Sequence, residues 1–456
     1  MSLYTPIVAN ILFPLHERLK GHDTTRILRE LEATQWYAPD RLRALQAARL
    51  KALLQAVAGS VPFYRDRVGD PAAAAKTDDP LELLSTLPIV DKTLIRSHAT
   101  DWCARGADRL IALQTSGSSG EPLHFRLGLH RISFDIAAKW RATRWWDVDV
   151  GDREMVLWNS ALENDAQDRV RRFRDWLFRS RLVPTRELGP AQLDRVLDDM
   201  RRFRPKMLFG YPSALARLAW RALDKGRPLN DVGVRVAFCT SEVLRPEWRQ
   251  AIHEAFGCGI ANEYGARDAG FIARECPAGS LHVTAEEVIV EVVDAQGRPV
   301  PPGVEGDILV TNLVGPEFPF IRYRTGDRGR LAATPCACGR GLPVLEEVAG
   351  RSNDGLVGEN GAWIHGSAIN HLMREIPGLK AYRIVQDALQ SLEILLVLDQ
   401  PLAESVSTRL AGHVRRLLGP GTGTRIRQVD DIPPLANGKF RHIVCKVSPQ
   451  DGRQTP

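Results

Sequence analysis

Short apolar runs alternate with helical segments from about residue 110 onward, and this alternation constrains the fold more than any other feature of the sequence. The apolar runs are Leu110–Leu113, Met155–Trp158, Met207–Gly210 and Val234–Phe238. Segments with helical spacing lie between them, for example Pro190–Phe203 and Pro212–Lys225. Strands separated by helices are typical of parallel sheets that are covered by helices. The sequence therefore predicts an α/β fold with a large N-terminal domain of helix-covered sheets.

The flanking regions have different patterns. Leucines at helical spacing predict helices over residues 25–60. Val288–Val293 and Asp307–Asn312 flank a turn rich in Gly and Pro, which predicts a β-hairpin and hence a β-rich subdomain. After a break near residue 350, the sequence predicts helices at Ser367–Ile376 and Ser405–Leu418 and strands at Tyr382–Val385, Leu392–Val397 and Thr424–Val429.

These patterns predict a division of the chain into domains. The predicted parts are an N-terminal helical segment over residues 1–105 packed on the large domain, a core over 106–350, a small mobile α+β C-terminal domain over 351–447, and a flexible tail over 448–456. The length of 456 residues agrees with two or three domains, because a single core rarely grows that large.

Composition excludes several classes of protein. No apolar run is long enough for a transmembrane segment, and the N-terminus lacks the pattern of a signal peptide, so we expect a cytoplasmic protein. A net charge of +6 is small for this length and does not predict nucleic-acid binding. Seven cysteines, an odd number spread along a long chain, imply no disulfide framework.

Two segments have patterns of surface helices. Ile7–Leu19 mixes apolar and polar residues, which fits an amphipathic membrane-surface helix or a segment docked on the protein's own core, and we favour the latter. Arg169–Arg186 is rich in arginine and is interrupted by Trp176, Leu177 and Phe178. We interpret it as a solvated helix face, with a binding surface for an anionic cofactor as the alternative.

A loop rich in Gly and Ser, Thr115-Ser-Gly-Ser-Ser-Gly-Glu-Pro122, follows the apolar run Leu110–Leu113. Small residues allow the backbone to approach a phosphate closely, and hydroxyl and N–H groups donate to its oxygens. The loop is not a Walker loop, because no Gly-Lys-Ser/Thr follows. Such a loop alone would more often be a surface linker.

The loop resembles the phosphate-binding loop of the adenylate-forming superfamily of acyl-CoA synthetases and related ligases. Four further segments resemble motifs of that superfamily in the same order along the chain. They are Asn262–Asp268 (Asn-Glu-Tyr-Gly-Ala-Arg-Asp), Arg322–Asp327 (Arg-Tyr-Arg-Thr-Gly-Asp), Gly350–Asp354 (Gly-Arg-Ser-Asn-Asp) and Pro433–Arg441, which contains Gly438-Lys439.

The resemblance implies roles for individual residues. It implies that Lys439 contacts the carboxylate and the α-phosphate, that Asp268 helps to hold Mg²⁺, that Asp327 binds the ribose hydroxyls, and that the domains hinge near Asn353. The residues that it assigns to nucleotide binding are Thr115, Ser116, Gly117, Ser118, Ser119, Gly120, Ser241, Glu263, Tyr264, Gly265, Asp327 and Arg351.

The chain is similar to the phenylacetate–CoA ligase-like branch, which includes members encoded with capsular polysaccharide genes. The segments that support this branch are Val61–Tyr64, Gly210–Ser213, Thr240–Val243, Pro319–Tyr323 and Cys338–Arg340. The sequence departs from the superfamily pattern at Glu121, where Lys is usual, at Arg267, at Asp268, which replaces Glu, and at Asn353.

The function that the resemblance implies is ATP-dependent activation of a carboxylic acid, possibly aromatic, to acyl-AMP with release of pyrophosphate, followed by transfer to a thiol such as coenzyme A. The implied cofactors are ATP, Mg²⁺ and coenzyme A. The alternatives are transfer to a carrier protein, an amine or a sugar hydroxyl, an adenylyltransferase that leaves AMP on its product, and a non-catalytic nucleotide-binding relative. A homodimer is left open.

Cys276, His282, Cys336 and Cys338 form two local pairs, a pattern of structural Zn²⁺ sites. The alternative is ordinary reduced cysteines. For the acid-binding pocket, the aromatic candidates are Trp140, Trp145, Trp146, Trp158 and Tyr211.

Overall fold

The structure is a computed structural model that describes residues 4–65, 79–85, 87–115, 123–158, 166–185, 188–351, 355–360, 363–365, 373, 376–435 and 440–447. Several predictions concern residues outside this set. They are the loop positions Ser116, Gly117, Ser118, Ser119 and Gly120, the hinge residue Asn353, most of the helix expected at Ser367–Ile376, the catalytic candidate Lys439 and the tail 448–456.

Helices occupy the N-terminal segment and the connections between strands. In chain order they are α1 Tyr4–Ile7, a π-helical turn Val8–Leu12, α2 Phe13–Leu19, α3 Thr24–Thr34, α4 Pro39–Ser60, α5 Pro62–Arg65, α6 Pro80–Ser85, α7 Lys92–Ser97, α8 Leu129–Arg144, α9 Ala166–Leu177, α10 Pro190–Phe203, α11 Pro212–Asp224, α12 Pro246–Phe256 and α13 Glu404–Leu418. Helices α4, α10, α11 and α12 have proline in their first turn, where its fixed φ favours helix and its missing N–H is not needed.

The strands follow the apolar runs closely. They are β1 Ile111–Gln114, β2 His124–Leu127, β3 Glu154–Trp158, β4 Ser180–Pro184, β5 Met207–Gly210, β6 Val236–Thr240, β7 Gly259–Ala266, β8 Gly270–Glu275, β9 Leu281–Val283, β10 Val288–Val293, β11 Gly306–Asn312, β12 Tyr323–Leu331, β13 Val344–Arg351, β14 Gly355–Val357, β15 Trp363–His365, β16 Leu379–Ala388, β17 Ser391–Leu398, β18 Gly423–Gln428 and β19 Ile443–Cys445.

One mixed sheet dominates the large domain, with the strand order β10-β11-β12-β13-β9-β8-β7-β6-β5-β3-β4 among the described residues. Strands β4, β3, β5, β6 and β7 run parallel to one another. From β7 onward the sheet continues through β8, β9, β13, β12, β11 and β10, and each of these neighbouring pairs is antiparallel. The predicted α/β class is confirmed. The β-rich part is the antiparallel half of this same sheet, which begins at the β7–β8 pair and includes the expected hairpin of β10 and β11.

Burial explains the parallel half of this sheet. All five residues of β6 are buried, as expected of a strand that is covered on both faces. Helix α11 buries Leu215, Leu218, Ala219 and Ala222, whose spacing places them on one helical face. The run Leu110–Leu113 differs from the expectation, because among the described strands β1 pairs with β2 alone, in a separate antiparallel sheet.

The C-terminal segment has a core of its own, which includes Tyr382, Ile384, Ile394, Leu396 and Val414. Its four-stranded sheet has the order β18-β17-β16-β19, and α13 contributes to the same core. This architecture agrees with the predicted α+β unit, while the domain boundaries stay predictions. None of the helices in the described part of the chain has the length and apolarity that crossing a bilayer requires.

Candidate functional site

A cavity of about 1650 Å³ lies where the β5, β6 and β7 ends, the β1–β2 hairpin, β12 and the C-terminal segment meet. The ends of parallel strands in an α/β sheet are the usual position of ligand sites. The predicted site residues that line this cavity are Thr115, Ser241, Glu263, Tyr264, Gly265, Asp268 and Asp327. Phe440 and Arg441 line it as well, so four of the five motif segments reach one cavity, although they are distant in sequence.

Thr115 closes the base of the Gly/Ser-rich loop. Its backbone N–H donates to the carbonyl of Leu123 at 3.0 Å, and its hydroxyl oxygen accepts the N–H of Leu123 at 3.0 Å. Thr115 directly follows β1 and Leu123 directly precedes its antiparallel partner β2. Thr115 itself lines the cavity, so the end of the β1–β2 pair at which it lies faces the cavity.

Tyr264 and Asp327 form the best-defined polar contact in the cavity. The Tyr264 hydroxyl donates to Asp327 Oδ2 at 2.9 Å and lies 3.3 Å from the Thr325 hydroxyl. Burial, with Asp327 next to it, raises the pKa of Tyr264 well above its ordinary value, so the phenol stays protonated and donates. Gly265 is required beside it, because a side chain there would meet the carbonyl oxygen of Gly270 at 2.8 Å.

Asp268 is buried at the end of the same motif. Its Oδ2 accepts a hydrogen bond of 2.6 Å from the Tyr323 hydroxyl and lies 3.7 Å from Lys92 Nζ. Lys92 also lines the cavity. This lysine was missed in the sequence analysis, since its segment has no recognisable spacing. It enters the site because Val90 forms a parallel bridge with Tyr323.

Glu263 and Ser241 line the cavity in different ways. The Glu263 carboxylate accepts from Arg274 Nε at 2.7 Å and from the Thr240 hydroxyl at 3.1 Å, and these bonds tie β6, β7 and β8 together. Ser241 follows β6 with a φ of +69°, a conformation that non-glycine residues adopt rarely and that often occurs at functional sites. Arg351 is the last residue of β13, and its backbone pairs with Asp327.

Glu242 links the large domain to the C-terminal segment. Its Oε2 accepts the N–H of Ser213 at the first turn of α11 at 3.1 Å, and its Oε1 accepts the N–H of Phe440. Phe440 is buried beside Trp248 of α12 and lines the cavity. Phe440, which directly follows Lys439 in the sequence, is therefore held at the cavity wall.

A second contact between the domains centres on Arg245. Its Nε donates to His442 Nε2 at 2.8 Å, and its Nη2 donates to the Tyr382 hydroxyl at 2.7 Å. His442 Nδ1 lies 3.0 Å from the carbonyl of Tyr382 and donates to it. Burial, together with the Arg245 charge, lowers the pKa of His442 well below its ordinary value, and a neutral ring can accept from the guanidinium. No local sequence pattern identifies Arg245 or His442 as site residues.

Only two of the five aromatic candidates for the acid pocket line the cavity. Trp158 and Tyr211 do so, and their rings stack with centroids 4.4 Å apart. The other three pack elsewhere. Trp140 lies edge-on to Phe13, Trp145 donates to Gln35 Oε1, and Trp146 donates to the carbonyl of Glu275. The prediction was wrong for these three because Trp140, near the end of α8, and Trp145 and Trp146, directly after it, pack against buried clusters and not at the cavity.

The four predicted metal ligands converge. Their ligand atoms all lie within 4.8 Å of one another, with Cys276 Sγ 3.7 Å from Cys336 Sγ and Cys338 Sγ 3.2 Å from His282 Nε2. Two thiolates on a tetrahedral Zn²⁺ are about 3.8 Å apart, so the spacing suits that ion. His282 Nδ1 faces the carbonyl of Leu342 at 3.3 Å, which orients Nε2 toward the cluster. Burial lowers the pKa of His282 to about 4, so its ring is neutral at pH 7.

Comparisons with known proteins agree with this geometry. A family model described as AMP-binding enzyme matches residues 176–313, and one described as CapK C-terminal domain matches residues 356–446. The phenylacetate-coenzyme A ligase of Thermus thermophilus is 24% identical over 391 residues, which cover 80% of this chain and 84% of that protein. Protein CapK of Staphylococcus aureus is 21% identical over 387 residues and covers 80% of each chain.

A solved structure has the same fold. The crystal structure of 2-hydroxyisobutyryl-CoA ligase in the postadenylation state, in complex with R3-HIB-AMP, superposes with a TM-score of 0.70. It is 21% identical in sequence, and the alignment covers 88% of this chain and 89% of that chain. The cavity, the paired motif residues and the C-terminal unit therefore lie within an architecture that is already known.

Proposed function

The chain belongs to the phenylacetate–CoA ligase-like branch of the adenylate-forming superfamily, and from this premise we propose that it uses ATP to activate a carboxylic acid as an acyl-AMP. The observation that supports this most directly is the meeting of Thr115, Tyr264, Asp268 and Asp327 in one cavity. Neither a linker nor a scaffold requires these motif residues to converge from separate segments.

In the proposed reaction, a carboxylate oxygen of the acid attacks the α-phosphorus of ATP. A new oxygen–phosphorus bond forms, the bond to the bridging oxygen breaks, and pyrophosphate leaves with the electron pair. The 115–122 loop would hold the phosphates, and Asp327, oriented by Tyr264, would accept hydrogen bonds from the ribose hydroxyls. Asp268 would hold Mg²⁺, which neutralises phosphate charge when bound.

Lys92 supports the proposal because it supplies a positive charge that the 115–122 loop lacks. The loop has Glu121 where a lysine is usual, which removes a cation from the phosphate site. Lys92 reaches the same cavity from another element and lies 3.7 Å from Asp268. We propose that it restores positive charge near the phosphates.

The stacked pair of Trp158 and Tyr211 supports a flat or bulky apolar acid as the substrate. We propose that the acyl group then passes to a thiol, with coenzyme A as the acceptor, and that the reaction takes place in the cytoplasm. The same first step could serve another acceptor. Analysis of the product with and without coenzyme A distinguishes a thioester from an amide, an ester or a retained AMP.

Exchange of labelled pyrophosphate into ATP over a panel of carboxylic acids tests the first step. We expect exchange that depends on the acid and on Mg²⁺, and that is fastest with aromatic or branched members of the panel. Two results would contradict the proposed activity. One is exchange that does not require any acid. The other is a protein that binds ATP but shows no exchange with any acid of the panel.

Replacing Asp327 with alanine tests the ribose contact. We expect KM for ATP to rise about 10- to 100-fold, because two hydrogen bonds to a charged acceptor are lost. Asp307→Ala is the matched control, since Asp307 lies on the neighbouring strand β11 and pairs with Arg324 and Arg328. Steady-state kinetics with varied ATP should show an unchanged KM for ATP in the control variant. An equal increase for both variants would contradict a specific role of Asp327.

We further propose that Cys276, His282, Cys336 and Cys338 hold a structural Zn²⁺ ion. Four protein ligands leave no open position for a substrate, so the ion would stabilise the fold and not take part in the reaction. Ser280 and Pro335, which neighbour the ligands in sequence, line the cavity. The ion would therefore connect two segments of the cavity wall.

A further inference from the structure

An exposed apolar stripe runs along the continuous helical segment Tyr4–Leu19. Ile7, Ile11, Leu15 and Leu19 recur every four residues and are between 46% and 80% exposed. Residues four apart in a helix lie on one face. Exposed apolar residues are common singly, but a row of four in register indicates a surface with a partner.

The stripe is not what attaches this helix to the protein. The opposite face buries Val8, Ala9 and Phe13 in a cluster with Val150. Glu17 is buried as well, and its carboxylate accepts from Thr24 at 2.6 Å. The helix is thus anchored through its inner face, as the sequence predicted. Its outer apolar stripe is exposed and available for another contact.

Helix α9 lies beside this segment and extends the apolar surface. The Tyr4 hydroxyl donates to the carbonyl of Leu177 at 2.8 Å, which joins the two helices. Phe173 is 63% exposed and Trp176 is 70% exposed, with their ring centroids 5.8 Å apart. Exposed Trp and Phe on a basic helix are typical of segments that lie in a membrane interface.

The charges around the stripe are mainly basic. Arg18, Lys20 and Arg172 are exposed. Residues 4–20 contain a single acidic residue, the buried Glu17. In α9, Asp175 is hydrogen-bonded to the neighbouring arginine at 2.9 Å, which offsets its charge. The surface therefore combines aliphatic and aromatic side chains with positive charge.

We propose that this surface, the outer faces of residues 4–20 and 172–176, docks the protein on an anionic lipid bilayer. Apolar side chains enter the boundary between headgroups and acyl chains, and the cations pair with acidic headgroups. A second copy of the chain fits less well, because a two-fold contact through this face would place basic residues against basic residues. The proposal does not depend on the proposed function.

Co-sedimentation of the full chain with lipid vesicles tests the proposal. We expect binding to vesicles of phosphatidylcholine with about one third phosphatidylglycerol, weakening with salt, and little binding to phosphatidylcholine alone. The double variant Ile11→Gln/Leu15→Gln should bind at least about tenfold more weakly. The triple variant Arg18→Gln/Lys20→Gln/Arg172→Gln should lose roughly a hundredfold at low salt.

Val304→Gln is the matched control, because Val304 is also exposed but lies near β10 and β11, at the opposite edge of the large sheet from β4. It should bind as the unaltered chain does. All variants should keep their thermal midpoint, since the replaced side chains are exposed. Failure to bind anionic vesicles, or equal binding to neutral ones, would overturn the proposal. So would a dimer that the Ile11→Gln/Leu15→Gln change converts to a monomer, because a second copy would then cover the stripe.

Discussion

Replacing Lys439 with alanine is expected to slow formation of the acyl-AMP by about a hundredfold or more, while thiolysis of supplied acyl-AMP continues. A cation at this position would stabilise the negative charge that develops on the α-phosphate as the carboxylate attacks. The residue after it, Phe440, lines the cavity and is tied to Glu242. Rapid-quench measurement of the two half-reactions separates the two steps.

Lys446→Ala is the control for this experiment. Lys446 is an exposed lysine directly after β19 in the same C-terminal unit, so its loss changes the net charge equally without approaching the cavity. It should leave both half-reactions unchanged. Normal acyl-AMP formation by the Lys439→Ala variant would show that the role implied by the resemblance is wrong for this chain.

Removing the proposed zinc ligands is expected to destabilise the large domain strongly. The double variant Cys336→Ser/Cys338→Ser should contain no zinc and should unfold about 10 °C lower or more, because metal binding contributes directly to the free energy of folding. The purified unaltered chain should contain about one zinc ion per chain by elemental analysis. A chelator should lower its thermal midpoint in the same way.

Cys103→Ser is the matched control for the metal. Cys103 is a half-buried free cysteine outside the cluster, so its replacement should leave the zinc content unchanged and shift the midpoint only slightly. If the chain purified with zinc supplementation contains no metal, and the chelator has no effect, the four residues are ordinary reduced side chains. The proposal of acid activation would survive that result.

Several parts of the site were predictable because their signals are local. The order of the motif segments, the hairpin residue Thr115 and the paired ligands Cys336 and Cys338 were all identified from short stretches of sequence. Lys92 and Arg245 were not identified as site residues, and Glu242 was noted only as part of the segment Thr240–Val243. Each becomes significant only through a contact with a distant residue, and no short-range pattern reports such a contact.

The aromatic residues show that a local pattern can also assign residues to the site wrongly. Trp140, Trp145 and Trp146 are aromatic, as expected of an acid pocket, but only packing determines what each side chain contacts. The N-terminal segment was similarly ambiguous. Its sequence permitted both docking on the core and contact with a membrane surface, and the structure shows that one face is buried while the other is exposed.

The sequence by itself determined the type and order of the elements and the chemical kinds of residue available for a nucleotide site, because helix and strand periodicity and motif spacing are short-range properties. Tertiary structure alone decided that β3 to β13 form one continuous sheet and that the motif residues share a cavity. The contacts responsible join Tyr264 to Asp327, 63 residues apart, and Arg245 to His442, 197 residues apart. Such pairings arise from the packing of the whole chain, which local patterns do not encode.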